Sequence, residues 1–208
     1  MADYCTVQQV KNEMPESGLS SISTYDAALS QMVTDASRLI DEQVARWPNF
    51  FYPSTDTEVR YFDGNGEAEL RINEAVSVSS VDVAEQGGME SSDYTAWGSS
   101  DYYPWPYNTT VMGEPIRKLI VDVWNGSKAY WHPYRKAVKV TGTFGWTQTP
   151  PPTISRACRI QAMRWFMRAK QGYQDAGAIA DIGQMVYVKE LDPDVKNILH
   201  KWMIENGL

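Results

Sequence analysis

The apolar residues of this chain change their spacing twice, and each change falls at prolines. Leu29, Met32, Val33, Ala36, Leu39, Ile40, Val44 and Trp47 recur at helical intervals and form one stripe. Pro48 is expected to end that helix, because its ring removes a backbone donor and clashes with the preceding turn. In the middle the spacing shortens toward two, with Val76 and Val78, then Val81 and Val83, then Val138 and Val140. After Pro150-Pro151-Pro152 the helical spacing returns through Ile154, Ala157, Cys158, Ala162, Trp165, Phe166 and Ala169. A period that runs long, short, long confines the chain to an α+β fold. The expectation is helical N- and C-terminal segments packed together with a β-rich middle inserted between them. The bounds are 1–50, 51–150 and 151–208, with the two helical parts in one domain.

Local signals refine this. Thr6 to Met14 reads as a short helix stopped by Pro15, and Glu16 to Ser23 as a loop. Ser23 and Asp26 stand in capping-box relation before the main helix. Glu58–Phe62 and Ala68–Ile72 flank Asp63-Gly-Asn-Gly66 and predict a hairpin. Further strands are expected over Arg117–Val123 and Lys136–Thr143 and, near the end, Met185–Lys189. Gly172 suits the close of the third-part helix, and Asp192-Pro193 the start of a final one with Val195, Ile198, Leu199, Trp202 and Met203 on its stripe.

Charge excludes several functions. The net charge is −7, and the imbalance is local: 11 basic against 20 acidic residues up to Pro151, then 8 against 6. An acidic body argues against wrapping DNA, which needs positive charge at the phosphates. Within the last part, Arg156, Arg159, Arg164, Arg168 and Lys170 follow one another with no acid between. No apolar run reaches the 18 or so residues of a membrane span. The start lacks the basic and apolar regions of a signal peptide, so Cys5 and Cys158 are expected as free thiols in a reducing compartment. With only His132 and His200, a histidine-rich metal site is excluded.

No catalytic motif emerges. Asp63 opens a stretch like a calcium loop, but Ala68 stands where that loop needs glycine, so a plain turn is expected. Asp93 and Asp101 are acids a glycosidase could use, yet their spacing does not single them out. Residues 94–134 hold 10 of the 25 aromatics. Trp97, Tyr102, Tyr103, Trp105, Tyr107, Trp131 and Tyr134 could fill a core, anchor a protein contact, or stack on sugars. The last option makes a carbohydrate-binding module the alternative function. No catalytic, cofactor-binding or metal-binding residue is expected, and no cofactor.

Several stretches taken in order carry a family resemblance. They are Ala36-Ser-Arg-Leu-Ile-Asp41, Arg60-Tyr-Phe-Asp-Gly64, Leu70-Arg-Ile72 and Val76-Ser-Val-Ser-Ser-Val81. Asp93-Tyr94, Val138-Lys-Val-Thr-Gly-Thr-Phe-Gly-Trp146 and Pro152 with Ile154 and Ala157 follow. Over roughly residues 3–170 the chain resembles the head–tail connector (adaptor, or head-completion) proteins of long-tailed double-stranded DNA bacteriophages. The resemblance implies a non-enzymatic virion protein of the neck, assembled in the host cytoplasm. It implies a homo-oligomeric ring, commonly twelve-fold, between the portal protein and the tail completion or terminator protein. Double-stranded DNA passes through such a ring without specific binding, and no membrane is involved. Charge together with family habit marks Arg156, Arg159, Arg164 and Arg168, and Trp202 on the last helix, for contact with the portal or the neighbouring subunit.

Overall fold

The computed structural model describes residues 3–14, 23–53, 56–88, 90–170, 176–178, 185–187 and 191–203. The chain is α+β and divides into two compact units, Met1–Phe51 with Pro150–Leu208, and Tyr52–Thr149.

The first unit is built on helices. Helix α1 (Val7–Asn12) opens at a reciprocal cap: Thr6 Oγ1 accepts the Gln9 N–H, and Gln9 Oε1 accepts the Thr6 N–H. Helix α2 (Asp26–Gln43) buries Leu29, Val33, Ala36 and Ile40 of the expected stripe. Two details differ from expectation. No side chain caps the start of α2; Tyr25 holds that position, and the Asp26 carboxylate pairs with Lys11 instead. The helix also ends before Trp47. Ala45 takes a left-handed φ of 52°, its N–H reaches the Glu42 carbonyl and that of Arg46 reaches the Asp41 carbonyl, a Schellman closure. An alanine in the place glycine usually occupies gave no stop signal in the sequence.

Helix α4 (Pro152–Lys170) packs on α2 and α1 and buries Ile154, Ala157, Cys158, Ala162 and Phe166. Helix α5 (Pro193–His200) starts as expected, with the Asp192 carboxylate accepting the Asp194 N–H at 2.9 Å and Pro193 in the first turn. Its Val195 and Leu199 are buried, and Trp202 just beyond meets Phe51 edge-to-face at 5.1 Å. Ahead of it β7 (Ala176–Ala178) pairs antiparallel with β8 (Met185–Tyr187). Expected features at Pro15 to Ile22, Gly172 and Val188–Lys189 lie outside the described residues.

A polar network ties three separate segments of this unit together. Tyr4 donates its hydroxyl to Asp41 Oδ1 and accepts the Phe51 N–H at 3.2 Å, while its backbone N–H meets Ser37 Oγ at 3.0 Å. Asp41 Oδ2 accepts the Asn49 N–H at 2.9 Å. Tyr4, Ser37 and Asp41 are all buried. Loss of solvent pushes the Asp41 carboxyl above its ordinary range, and the Tyr4 bond pulls it back.

The second unit is a six-stranded antiparallel sheet. Its strands are β1 (Glu58–Phe62), β2 (Glu69–Val83), β3 (Thr95–Ala96), β4 (Tyr102–Trp105), β5 (Ile116–Val121) and β6 (Val138–Phe144). The order is β1-β6-β2-β5-β4, with β3 added to the end of β2. A short helix, α3 (Thr109–Met112), and a 3₁₀ turn at Ser91–Asp93 lie within this unit, so helix is not confined to the ends of the chain.

The expected hairpin across Asp63–Gly66 does not form, since β1 pairs with β6 and β2 with β5 and β6. The loop is glycine-rich for another reason. Gly64 donates to the Tyr134 carbonyl and Gly66 to the Trp131 carbonyl, so the loop lies against residues 131–136. A Cβ on Gly64 would stand 1.8 Å from the His132 oxygen. The stretches Ala68–Ile72 and Val76–Val83, read separately from sequence, are joined in one 15-residue strand that begins at Glu69. Register shifts at Arg71/Ala75, Ala75/Ser77 and Val78/Ser80 break its alternation.

Candidate functional site

Aromatic burial divides the middle of the chain. Trp131 is fully buried, stacks on Trp97 with ring centroids 4.6 Å apart, and donates its indole N–H to the Ala68 carbonyl at 3.0 Å. These two rings serve the core and are withdrawn from any sugar-stacking set. Tyr103 and Trp105 instead lie on edge strand β4, and Tyr107 just beyond it stacks on Tyr103 at 5.3 Å and meets Trp105 at 4.9 Å. Trp105, Tyr107 and Tyr134 are exposed.

The acids weighed for catalysis, and Asp63 weighed for a calcium loop, hold backbone N–H groups of turns and loops. Asp93 accepts the Glu90 N–H at 2.8 Å. Asp101 accepts the N–H groups of Ser127 and Gly98, each at 2.9 Å, and the Ser127 hydroxyl at 3.2 Å. The Ser127 backbone bond in particular holds its carboxyl below the usual range. Asp63 accepts the Lys136 N–H at 2.7 Å. Among the described residues no group of three or more His, Cys, Asp or Glu could hold a metal ion.

Two features at opposite ends of β5 stand out. After its C-terminal end, Asp122 shapes a tight turn. Its Oδ1 accepts the N–H groups of Trp124 and Asn125 at 3.1 Å, and its Oδ2 accepts the Asn125 amide at 2.8 Å. These bonds depress the Asp122 pKa, the Asn125 side-chain bond most. Gly126 closes the turn where a Cβ would meet Asp101 Cα at 2.6 Å and the Asp122 carbonyl at 2.8 Å. The turn presents Trp124, whose side chain is 91% exposed, beside exposed Val123.

Before the N-terminal end of β5 lies a pocket of about 400 Å³. Val76, Thr110, Gly113, Glu114, Trp146 and Thr149 line it. Arg117 ion-pairs with Glu114 at 3.7 Å and stands over Trp146 at 5.3 Å from the ring centre. On α3, next to Thr110 of the lining, Val111 is 89% exposed and Met112 also faces solvent. Neither Trp124 nor this apolar pair was singled out from the sequence. The available signal was a bulky ring inside a turn-forming stretch, Asp122-Val-Trp-Asn-Gly126.

The five residues expected at an interface lie in the first unit and differ from one another. Arg156 is exposed on α4. Arg159 pairs with Glu13 and Arg164 with Asp192, at 2.9 and 2.7 Å. Arg168 is half-buried, and Trp202 is half-buried against Phe51.

No family model matches this chain, and no curated protein does. Its fold is similar to that of a chain in a structure described as "Neck of empty GTA particle computed with C6 symmetry". The TM-score is 0.52 at 14% identity, covering 96% of this chain and 89% of that one. "Virion of native gene transfer agent (GTA) particle" gives 0.46 at 15% identity over 88% and 79%. "Neck of native GTA particle computed with C12 symmetry" gives 0.45 at 14% over 86% and 82%.

Proposed function

We propose that this chain is a structural subunit of the neck of a phage-like particle. It forms a closed ring, twelve-fold, between the portal protein and the tail completion or terminator protein, and it extends the channel for double-stranded DNA. The observation that carries this reading is the fold likeness to a neck chain over 96% of this chain and 89% of that one. The ordered motifs from Ala36 to Ala157 support it separately. A neck part works by holding neighbours through shape, with no substrate turned over. The predominantly acidic first three quarters of the sequence suit a channel wall, because negative charge repels phosphates and lets DNA slide.

The portal or neighbour contact is proposed at the α4 arginines, with Arg156 foremost as the exposed one, and at Trp202. The protein resides in the virion neck and assembles in the host cytoplasm. Mixing the purified chain with the portal ring of the same particle and measuring the mass of the complex tests the reading. A complex holding one closed ring of this chain per portal is expected. A chain that neither binds the portal nor leaves the neck incomplete when deleted from particles refutes it.

A further inference from the structure

Trp124 and the pocket beside α3 lie at opposite ends of one strand, separated by the six residues of β5, about 17 Å of extended chain. Each end leaves large apolar side chains in water, Trp124 with Val123 at one and Val111 with Met112 at the other. Clustered apolar exposure of this kind marks a contact surface. The tryptophan is also held ready. Asp122 and Gly126 fix its turn, so little backbone freedom remains to be lost on binding. The pocket offers what an indole requires: apolar walls from Val76 and Trp146, threonine methyls, and the Glu114 carboxylate as acceptor for the ring N–H.

We propose that Trp124 of one copy seats in the pocket beside α3 of the next copy, so that the sheet unit carries both halves of a head-to-tail contact. The inference rests on the ring reading above and names the surfaces that would close the ring. Knob and socket are different patches of one chain, which makes the contact heterologous and able to propagate around a closed ring. A second copy is the occupant because the ring reading sets a copy beside every copy, and one chain carries both the exposed indole and a pocket whose lining suits it.

The test uses the full chain under whichever condition the unaltered protein assembles, alone or on purified portal, read by native mass spectrometry. Trp124→Glu removes the knob, and Thr110→Trp fills the socket. Both positions are exposed, so neither change disturbs the core. Each variant alone is expected to self-associate at least about 30-fold more weakly, as for a central aromatic anchor. Mixed in equal amounts, they are expected to form a one-to-one dimer that cannot grow. The Thr110→Trp copy keeps its knob and the Trp124→Glu copy keeps its socket. That dimer also shows that both variants are folded. Multimers that persist unchanged in both variants overturn the contact and leave the ring standing. Weakened variants whose mixture yields no dimer, although both give the circular dichroism of the unaltered chain, also overturn it. An unaltered chain that stays monomeric alone and on the portal overturns the ring reading, and this inference with it.

Discussion

Replacing Tyr4 by Phe removes one oxygen from the helical unit and breaks two bonds. The hydroxyl donates to the Asp41 carboxylate and accepts the Phe51 N–H. Both partners lie in the interior, so each would be left short of a bond it cannot replace from water. The ring itself stays: its edge-to-face contact with Phe51 at 5.7 Å and the Arg38 guanidinium 5.6 Å above it do not need the hydroxyl. A bond to a charged group is worth roughly 1.5–3 kcal/mol and a neutral one about 1, giving an expected loss of about 3 kcal/mol. Asp41 keeps the Asn49 N–H and the Arg38 guanidinium at 3.6 Å, which bounds the loss from above. The pH dependence carries the sharper test. The Asp41 pKa is already raised by burial, and the Tyr4 bond opposes that rise, so Tyr4→Phe lifts it further. A carboxyl whose folded pKa lies above its unfolded one binds more protons folded, so its cost is present at neutral pH. The cost fades as pH falls through the folded pKa toward the unfolded value. The variant should therefore recover part of its deficit on acidification. Hydrogen exchange of the Val33–Asp41 amides in urea, at neutral and mildly acidic pH, measures this within the unit that carries the network. A deficit below about 1 kcal/mol, or one that does not shrink on acidification, refutes the reasoning.

Three other outcomes are expected. Trp131→Ala should cost about 3–5 kcal/mol by urea denaturation. Trp131→Phe should cost clearly less, because the Ala68 carbonyl keeps the Val121 N–H at 2.8 Å. Gly142→Ala should abolish soluble expression or lower thermal stability by several degrees, since its Cβ would stand 2.2 Å from the Ser77 carbonyl across the β2–β6 pairing. The Cys5 and Cys158 sulfurs face each other at 3.1 Å, so exchange with a low-molecular-weight disulfide should join them and release two small thiols. Intact mass should fall by two hydrogen atoms, and Cys158→Ala should abolish the change.

How much of this was legible in the sequence depends on the range over which each feature is encoded. Helices α2, α4 and α5 were readable because a buried stripe repeats within one segment, and Asp192-Pro193 writes its cap locally. The Asp63–Gly66 loop misled because glycines serve tight turns and close approaches equally, and what approaches here comes from about 70 residues further along. The stop at Ala45 and the buried Asp41 were hidden for a related reason. Their partners, Arg46, Asn49 and Tyr4, matter through geometry that residue type does not announce.

The proposed contact residues were hidden more deeply. Trp124 and Trp131 stand seven residues apart in one aromatic-rich stretch, and only the turn-forming Asp122-Val-Trp-Asn-Gly126 around Trp124 tells them apart in sequence. Their fates are opposite: Trp131 is sealed beneath Trp97 and bonded to Ala68, while Trp124 is held out into water by Asp122. Pattern encodes burial within a chain, because folding selects for it. A side chain whose burial comes only from a second copy satisfies no pattern of its own chain, so it reads as an ordinary loop residue. On the proposed ring reading, apolar side chains that the fold leaves exposed are therefore the ones to test for contact between copies. Among the described residues Trp124 and Val111 have the largest exposed fractions of any large apolar side chain.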